Sequence, residues 1–166
     1  MITIGSSVDY LKTLPYVDME RVGMMGWSHG GYITLLSVFR DTHPFAAAAA
    51  IVPVTNLIFR LSLKGPSYQW DFATQKRIQG LPFEKPEIYI ERSPLYHVDK
   101  LQVPVLVHVA TNDTDVNYVE DQQIVDALKA RGAHYAGADS VHAAQSGLLN
   151  VNAEIGKLEA ASRASP

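Results

Sequence analysis

Short apolar runs alternate with longer amphipathic segments along most of the chain. Three of these runs predict β-strands, at 21–25, 46–52 and 103–109. The middle run is apolar at every residue and begins with alanines, which usually favour helix. Its short length and its Ile51-Val52-Pro53 ending predict a buried strand of a parallel sheet instead.

Helices are predicted around these strands. Apolar residues near helical spacing indicate a helix over 30–40, and a shorter helix is expected over 7–14. The proline-containing stretch that follows the second strand is expected to hold two short helices, at 71–79 and 86–91. Strands that alternate with helices predict an α/β fold built on a parallel sheet.

The last clear helix has recognisable ends. Asn117 and Glu120 have the spacing of a capping pair, in which each side chain accepts a hydrogen bond from the backbone N–H of the other residue. The predicted helix runs from there to Arg131, and Gly132 ends it. Beyond Gly132 only a poor strand is expected, over 135–141.

Composition narrows the classes of protein. The chain has 166 residues, 47% of them apolar, which is enough for the core of one domain. A formal net charge of −3 without a basic cluster argues against a nucleic-acid partner. The N-terminus lacks the pattern of a signal peptide, and no apolar run approaches the roughly 20 residues of a membrane span. We therefore expect no membrane association and a cytoplasmic location.

Candidate chemistry is concentrated in Gly26-Trp27-Ser28-His29-Gly30, a G-x-S-x-G pattern between a predicted strand and a predicted helix. A nucleophilic serine needs a tight, strained strand-to-helix turn that projects its hydroxyl above the sheet. Side chains at Gly26 and Gly30 are expected to collide with neighbouring elements. The N–H of His29 would face a developing oxyanion. The alternative is an ordinary glycine-rich turn in which Ser28 caps the helix.

Two blocks of the sequence carry a family resemblance. The segment GWSHGGY and the segment SPLYHVDKLQVPVLVHVATNDTDVN resemble catalytic domains of the prolyl oligopeptidase family, over about 9–132. The resemblance implies an α/β-hydrolase-like parallel sheet flanked by helices, truncated at its N-terminal side. It also implies a Ser-Asp-His triad and no cofactor. We divide the chain into a partial catalytic domain, 1–142, and a tail, 143–166, interpreted as an amphipathic helix or as a frayed or foreign segment.

The resemblance also assigns an acid and a base. Its acid falls on Asp113, with Asp115 as the second choice; the alternative for both is a loop aspartate that holds a turn. Only His134 and His142 follow the acid loop, and the family spacing favours His142 as the base. No histidines have a defensible metal-ligand spacing, so no metal is expected.

Other parts of the family pattern are absent. No HGGG-like loop occurs to supply a second oxyanion donor, and the strand before Ser28 is expected to leave one sheet edge bare. Homo-oligomerisation would cover that edge. Two tyrosines of proline-cleaving relatives fall by resemblance on Thr74 and Ile78, which argues against strict proline specificity.

Two functions follow. The chain is expected to be a serine hydrolase that cleaves small esters or short peptides through an acyl-enzyme. The rival is a non-catalytic fragment or interaction module that retains the nucleophile turn.

Overall fold

A parallel β-sheet carries the fold. The computed structural model describes residues 4–132 and 135–140, the latter as a strand without its side-chain environment. In this part of the chain four strands follow the order β1-β2-β3-β4, with every neighbouring pair parallel. They are β1 (Gly23–Trp27), β2 (Ala47–Ile51), β3 (Val105–Ala110) and β4 (Tyr135–Ser140). The predicted parallel α/β sheet is therefore confirmed.

Helices connect these strands. Those in the described residues are α1 (Ile4–Lys12), α2 (His29–Val38), α3 (Leu57–Leu63), α4 (Pro66–Ala73), α5 (Pro86–Glu91) and α6 (Tyr118–Arg131). Two 3-10 segments, Met19–Arg21 and Pro94–Lys100, precede β1 and β3.

The stretch between β2 and β3 differs most from expectation. Helix α5 lies where it was predicted, but α3 was not predicted, and the helix expected at 71–79 is wrong in its bounds. Pro66 occupies the first turn of α4, where a missing N–H costs nothing, and the helix ends at Ala73. Asn56 caps α3 by accepting the N–H groups of Ile58 and Phe59.

Strands β1 and β3 differ in the number of strands with which they pair. Within the described residues β1 pairs only with β2, whereas β3 pairs with β2 on one side and β4 on the other. The burial of the strands follows this difference, because every residue of β3 is buried while Met25 and Trp27 on β1 remain exposed. The bare edge expected at the first strand is present in the described structure.

The main core lies on one face of the sheet. Side chains from β2 and β3 pack there against α1, α2 and α6, and the buried members include Val8, Leu35, Val38, Ala48, Ala50, Val105, Val107, Ile124 and Leu128. Alanines in β2 allow α2 to approach the sheet closely. A second cluster gathers Val54, Leu57, Leu61, Ile78, Tyr89 and Val116, with Tyr32 and Phe72 at its border. The second cluster joins the segment between β2 and β3 to α2 through Tyr32.

No helix in the described part of the chain has both the length and the apolar character needed to cross a membrane.

Candidate active site

Ser28 lies on a strained turn between β1 and α2. Its φ is 52° and its ψ is −114°, a conformation that side-chain-bearing residues rarely adopt. Two backbone bonds hold it there: its N–H donates to the Ile51 carbonyl at 2.8 Å, and its carbonyl accepts from the Tyr32 N–H at 3.0 Å. The strain is thus maintained by the neighbouring strand and by the first turn of the helix.

The alternative interpretation of Ser28 as a helix cap is wrong. Although Ser28 occupies the N-cap position of α2, its side chain makes no capping hydrogen bond. Asn56 and Asn117, by contrast, cap α3 and α6 with their side-chain oxygens. The hydroxyl of Ser28 is therefore not used to close the helix end.

The glycines around the turn match the predicted collisions at one position and differ from them at another. A Cβ built on Gly26 would lie 2.1 Å from the Gly30 carbonyl oxygen, so the expected collision at this position is confirmed. A Cβ on Gly30 would meet nothing within 4 Å, so the collision expected there is wrong. The second close approach is at Gly31, where a Cβ would lie 2.9 Å from the Cβ of Pro53.

His29 and Tyr32 lie on the first turn of α2. His29 is the first helical residue, and such a residue has no carbonyl four positions earlier in the helix to receive its N–H. Its exposed ring lies 5.2 Å from the ring of Tyr32. Burial raises the pKa of the Tyr32 phenol, although the Arg92 charge opposes this shift. Tyr32 is therefore neutral at physiological pH.

Asp113 lies in the loop that follows β3. Its Oδ1 accepts the N–H groups of Asp115 at 2.8 Å and Val116 at 2.9 Å. β3 is two strands away from β1, which corresponds to about 10 Å. The loop and Ser28 both follow the carboxyl ends of parallel strands, so they lie at the same edge of the sheet.

Asp115 has a different environment from Asp113. Arg60 Nη2 contacts its two carboxylate oxygens at 3.2 and 3.3 Å, and Lys64 Nζ contacts Oδ1 at 2.6 Å. The hydrogen bond from Lys64 is the main cause that lowers the pKa of Asp115, and the charges of Arg60 and Lys64 act in the same direction against burial. Both cations hold this carboxylate in its ionised form.

Glu120 does not form the predicted capping pair. Asn117 does cap α6, through the Val119 N–H, but the Glu120 carboxylate instead accepts N–H groups of Thr55 at 2.9 Å and Asn56 at 3.3 Å. Arg60 Nη1 lies 3.6 Å from Glu120 Oε2, and both side chains are almost fully buried. Burial raises the pKa of Glu120, while these N–H donors and Arg60 partly offset the shift. Glu120 thus ties α6 to the end of β2.

Asp121 is a buried carboxyl next to this network. Its side chain is 1% exposed and its Oδ1 has no hydrogen-bond partner in the described structure. Burial, with the nearby charges of Glu120 and Asp113, raises its pKa to about 9. Arg60, Glu120 and Asp121 belong to no sequence motif that would mark them as site residues. A lone arginine within the apolar segment Leu57-Ile58-Phe59-Arg60-Leu61 was the available signal.

The two candidate bases, His134 and His142, lie outside the described residues. Strand β4 lies between these two positions in the chain, and its register shows which end of β3 each end of β4 accompanies. Tyr135, the residue after His134, pairs with Val105 at the amino end of β3, and Ser140, two residues before His142, pairs with Ala110 at the carboxyl end. These ends are separated by about 17 Å along a six-residue strand.

The side chains of the segment between β2 and β3 differ in how deeply they are buried. Ile78 is buried in the second cluster, whereas Thr74 is exposed and its hydroxyl donates to the Trp70 carbonyl. The Phe72 ring stacks on Tyr68 and is tilted relative to the ring of Tyr89, and Trp70 is largely exposed. In residues 4–132 and 135–140 no group of three histidine or acidic side chains could hold a metal ion.

Comparisons with known proteins agree on one family. The model of the prolyl oligopeptidase family matches residues 4–150. Dipeptidyl aminopeptidase BIII of Pseudoxanthomonas mexicana is 33% identical over 114 residues, which is 68% of this chain and 16% of that protein. Inactive dipeptidyl peptidase 10 of Mus musculus is 25% identical over 78% of this chain and 15% of that protein.

Solved structures give the same result for the fold. A puromycin-hydrolyzing peptidase of Mycobacterium tuberculosis superposes with a TM-score of 0.67 at 28% identity, covering 81% of this chain and 20% of that structure. The chain therefore spans no more than about a fifth of the length of these relatives. The described sheet corresponds to part of an α/β-hydrolase domain.

Proposed function

Because the chain belongs to the prolyl oligopeptidase family, we propose that it provides the nucleophile-bearing part of a serine hydrolase. The single observation that carries this proposal is the strained conformation of Ser28, held between the Ile51 carbonyl and the Tyr32 N–H. Such strain at a serine whose hydroxyl makes no capping hydrogen bond is typical of a nucleophile turn. The reaction proposed is acyl transfer to Ser28, followed by hydrolysis.

In this proposal each residue has a separate role. Ser28 attacks the carbonyl carbon of a small ester or a short peptide, and His142 removes the hydroxyl proton. Asp113 orients the histidine through the carboxylate oxygen that does not bind the loop amides. The His29 N–H donates to the oxyanion. The register of β4 favours His142 over His134. β4 ends at Ser140, which pairs with the last residue of β3 before the loop that carries Asp113, and it begins at Tyr135, at the opposite end of the strands.

Dipeptidyl aminopeptidases among the relatives favour short peptides as substrates. The positions of the two proline-binding tyrosines hold Thr74 and Ile78, so neither offers a phenol ring to a proline. Ile78 is in addition buried. We therefore propose hydrolysis of short peptides or small esters without strict selection for proline.

A non-catalytic module is the second candidate, because one relative that matches over 78% of this chain is named as an inactive dipeptidyl peptidase. A fluorophosphonate probe separates the two, since it reacts only with an activated serine. We expect labelling of the full chain, abolished in Ser28→Ala and retained in Ser37→Ala, whose hydroxyl donates within α2. Labelling that survives Ser28→Ala would reject Ser28, and a folded wild-type chain that resists the probe would favour the module.

The same assay tests the base. We expect His142→Ala to lose labelling and His134→Ala to keep it. The opposite result would reject the assignment of His142.

A further inference from the structure

Two cations on α3 and at its end bind the loop that carries Asp113. Arg60 and Lys64 both contact Asp115, the residue two positions after Asp113. We propose that these contacts, here named the acid-loop clamp, position Asp113 for catalysis, with Arg60 as the positioning residue. The inference rests on the proposed function, which assigns Asp113 as the acid of the triad.

The clamp holds the backbone of Asp115 as well as its side chain. Arg60 Nη1 donates to the Asp115 carbonyl at 3.1 Å, and Nη2 donates to the carboxylate. Lys64 Nζ donates to the same carbonyl at 3.0 Å and to the same carboxylate. A planar guanidinium that reaches a carbonyl and a carboxylate of one residue restricts both its position and its orientation.

Asp115 is connected directly to Asp113. Its N–H donates to Asp113 Oδ1, and the Val116 N–H donates to the same oxygen. Val116 is buried in the second cluster, so its position is already restricted by packing. Asp115 is 64% exposed and has no such packing, and the clamp supplies the restraint that its neighbour obtains from burial.

Arg60 is itself rigidly held. It is 6% exposed, its Nε donates to the Tyr68 hydroxyl at 3.0 Å, and its guanidinium lies 5.6 Å from the centre of the Tyr68 ring. Glu120 lies on its other side and accepts N–H groups from the segment after β2. Arg60 therefore connects α3, α6 and the end of β2 to the acid loop, whereas an exposed pair such as Lys100 and Asp41 connects only two surface side chains.

Hydrogen exchange measures the proposed restraint without requiring activity. NMR of the full chain would follow the amides of Asp115 and Val116, which bind Asp113. In Arg60→Met/Glu120→Gln, which removes both buried charges together so that neither is left unpaired, we expect at least about tenfold faster exchange at both amides. Amides in β3 should be unchanged. Glu120→Gln alone is the matched control, because it retains the clamp.

A second variant covers a failure of the first to fold. Lys64→Met removes the more accessible half of the clamp and should accelerate both amides about threefold. Unchanged exchange in the folded variants would overturn the proposal. The same acceleration in Glu120→Gln alone would also overturn it, because the restraint would then come from Glu120 rather than from the clamp.

Probe labelling tests the catalytic consequence. We expect Arg60→Met/Glu120→Gln to label about tenfold more slowly, with a shifted pH profile, and Lys100→Met to label like the wild type. Wild-type labelling rates in the double variant would overturn the positioning role. An unlabelled wild-type chain would reject the proposed function, and the exchange rates would still decide whether the clamp restrains Asp113.

Discussion

The nucleophile turn and the acid loop lie at the same edge of the sheet, but different forces shape them. Ser28 follows an edge strand, and close backbone contacts at Gly26 and Gly31 define its turn. The acid loop follows an interior strand, and charges define it, because Arg60 and Lys64 bind Asp115. One half of the candidate site thus depends on steric exclusion, and the other depends on ionic contacts of Arg60 and Lys64 with the exposed carboxylate of Asp115.

This difference determines how each half tolerates change. A turn that is defined by close steric contacts is destabilised when an atom is added at one of those contacts, and its stability does not depend on pH or salt. A charged loop tolerates changes of shape and responds to the loss or titration of its partners. The following experiments separate the two behaviours.

The largest effect is expected within the acid loop itself. Asp113→Asn should reduce ester hydrolysis or probe labelling by about 10⁴-fold, because the amide leaves the histidine in the wrong tautomer. Asp115→Asn should cost less, since Asp115 acts only through the position of Asp113. Single-turnover rates of both folded variants test this order. A greater loss in Asp115→Asn would mean that the acid has been assigned to the wrong residue.

The glycines provide the corresponding test at the turn. Gly26→Ala should reduce the free energy of unfolding by about 3 kcal/mol or more, because backbone atoms block the new methyl group. Gly31→Ala should cost less, about 1–3 kcal/mol, because its new methyl group would lie 2.9 Å from the Pro53 Cβ, whereas the methyl group at Gly26 would lie 2.1 Å from a carbonyl oxygen. Gly30→Ala is the matched control and should be neutral or stabilising by up to about 1 kcal/mol, as expected for alanine in a helix. Urea unfolding measures all three, and an equal cost at Gly30 and Gly26 would contradict the steric explanation.

The same difference explains what the sequence could predict. The nucleophile turn was recognisable because its pattern occupies five consecutive residues, and the strand and helix around it are adjacent in the chain. The clamp was not recognisable, because Arg60 is separated from Asp115 by 55 positions and only the tertiary fold brings them together. Glu120 was misassigned for a related reason: its spacing from Asn117 matches a local cap, but a distant segment binds its carboxylate.

The fold shows the same limit. β2 was predicted despite its alanines, since short apolar segments before proline favour buried strands. β4 was expected to be poor because it contains Gly137 and Asp139, yet it pairs with β3 over its whole length. α3 was missed because it is short and its N-cap, Asn56, follows a buried segment, 52–55, that has no helical periodicity. Pairing partners outweigh local propensity in such places.

A separate effect should appear in the pH dependence of stability around the charged half of the site. Asp121 has a pKa of about 9 in the folded chain against an ordinary value of 3.8. Between these pH values the unfolded state releases a proton that the folded state keeps. The contribution of Asp121 to the free energy of unfolding therefore falls as pH rises, by at most about 1.4 kcal/mol per pH unit. Asp121→Asn should therefore stabilise the chain more at pH 8 than at pH 5.

Urea unfolding at both pH values measures this difference. Asp126→Asn is the matched control, because it removes a carboxyl group from an exposed position on the same helix. Equal effects of Asp121→Asn at the two pH values would show that the carboxyl is already ionised in the folded chain.

The smallest effect on the free energy of unfolding is expected at β1, the edge strand that precedes Ser28. A change there should instead alter the oligomeric state. β1 has an unpaired side in the described structure, and Met25 and Trp27 on it are 60% and 46% exposed. Unpaired strand edges with apolar side chains promote pairing with another chain, most simply in a two-fold dimer. We therefore expect the wild-type chain to exceed the monomer mass by light scattering during size exclusion, and Met25→Lys to restore the monomer while changing the free energy of unfolding by no more than about 0.5 kcal/mol. Ile90→Lys, which places the same charge on an exposed apolar position of α5, should leave the association unchanged. A wild-type monomer at low micromolar concentration would contradict self-association through this edge.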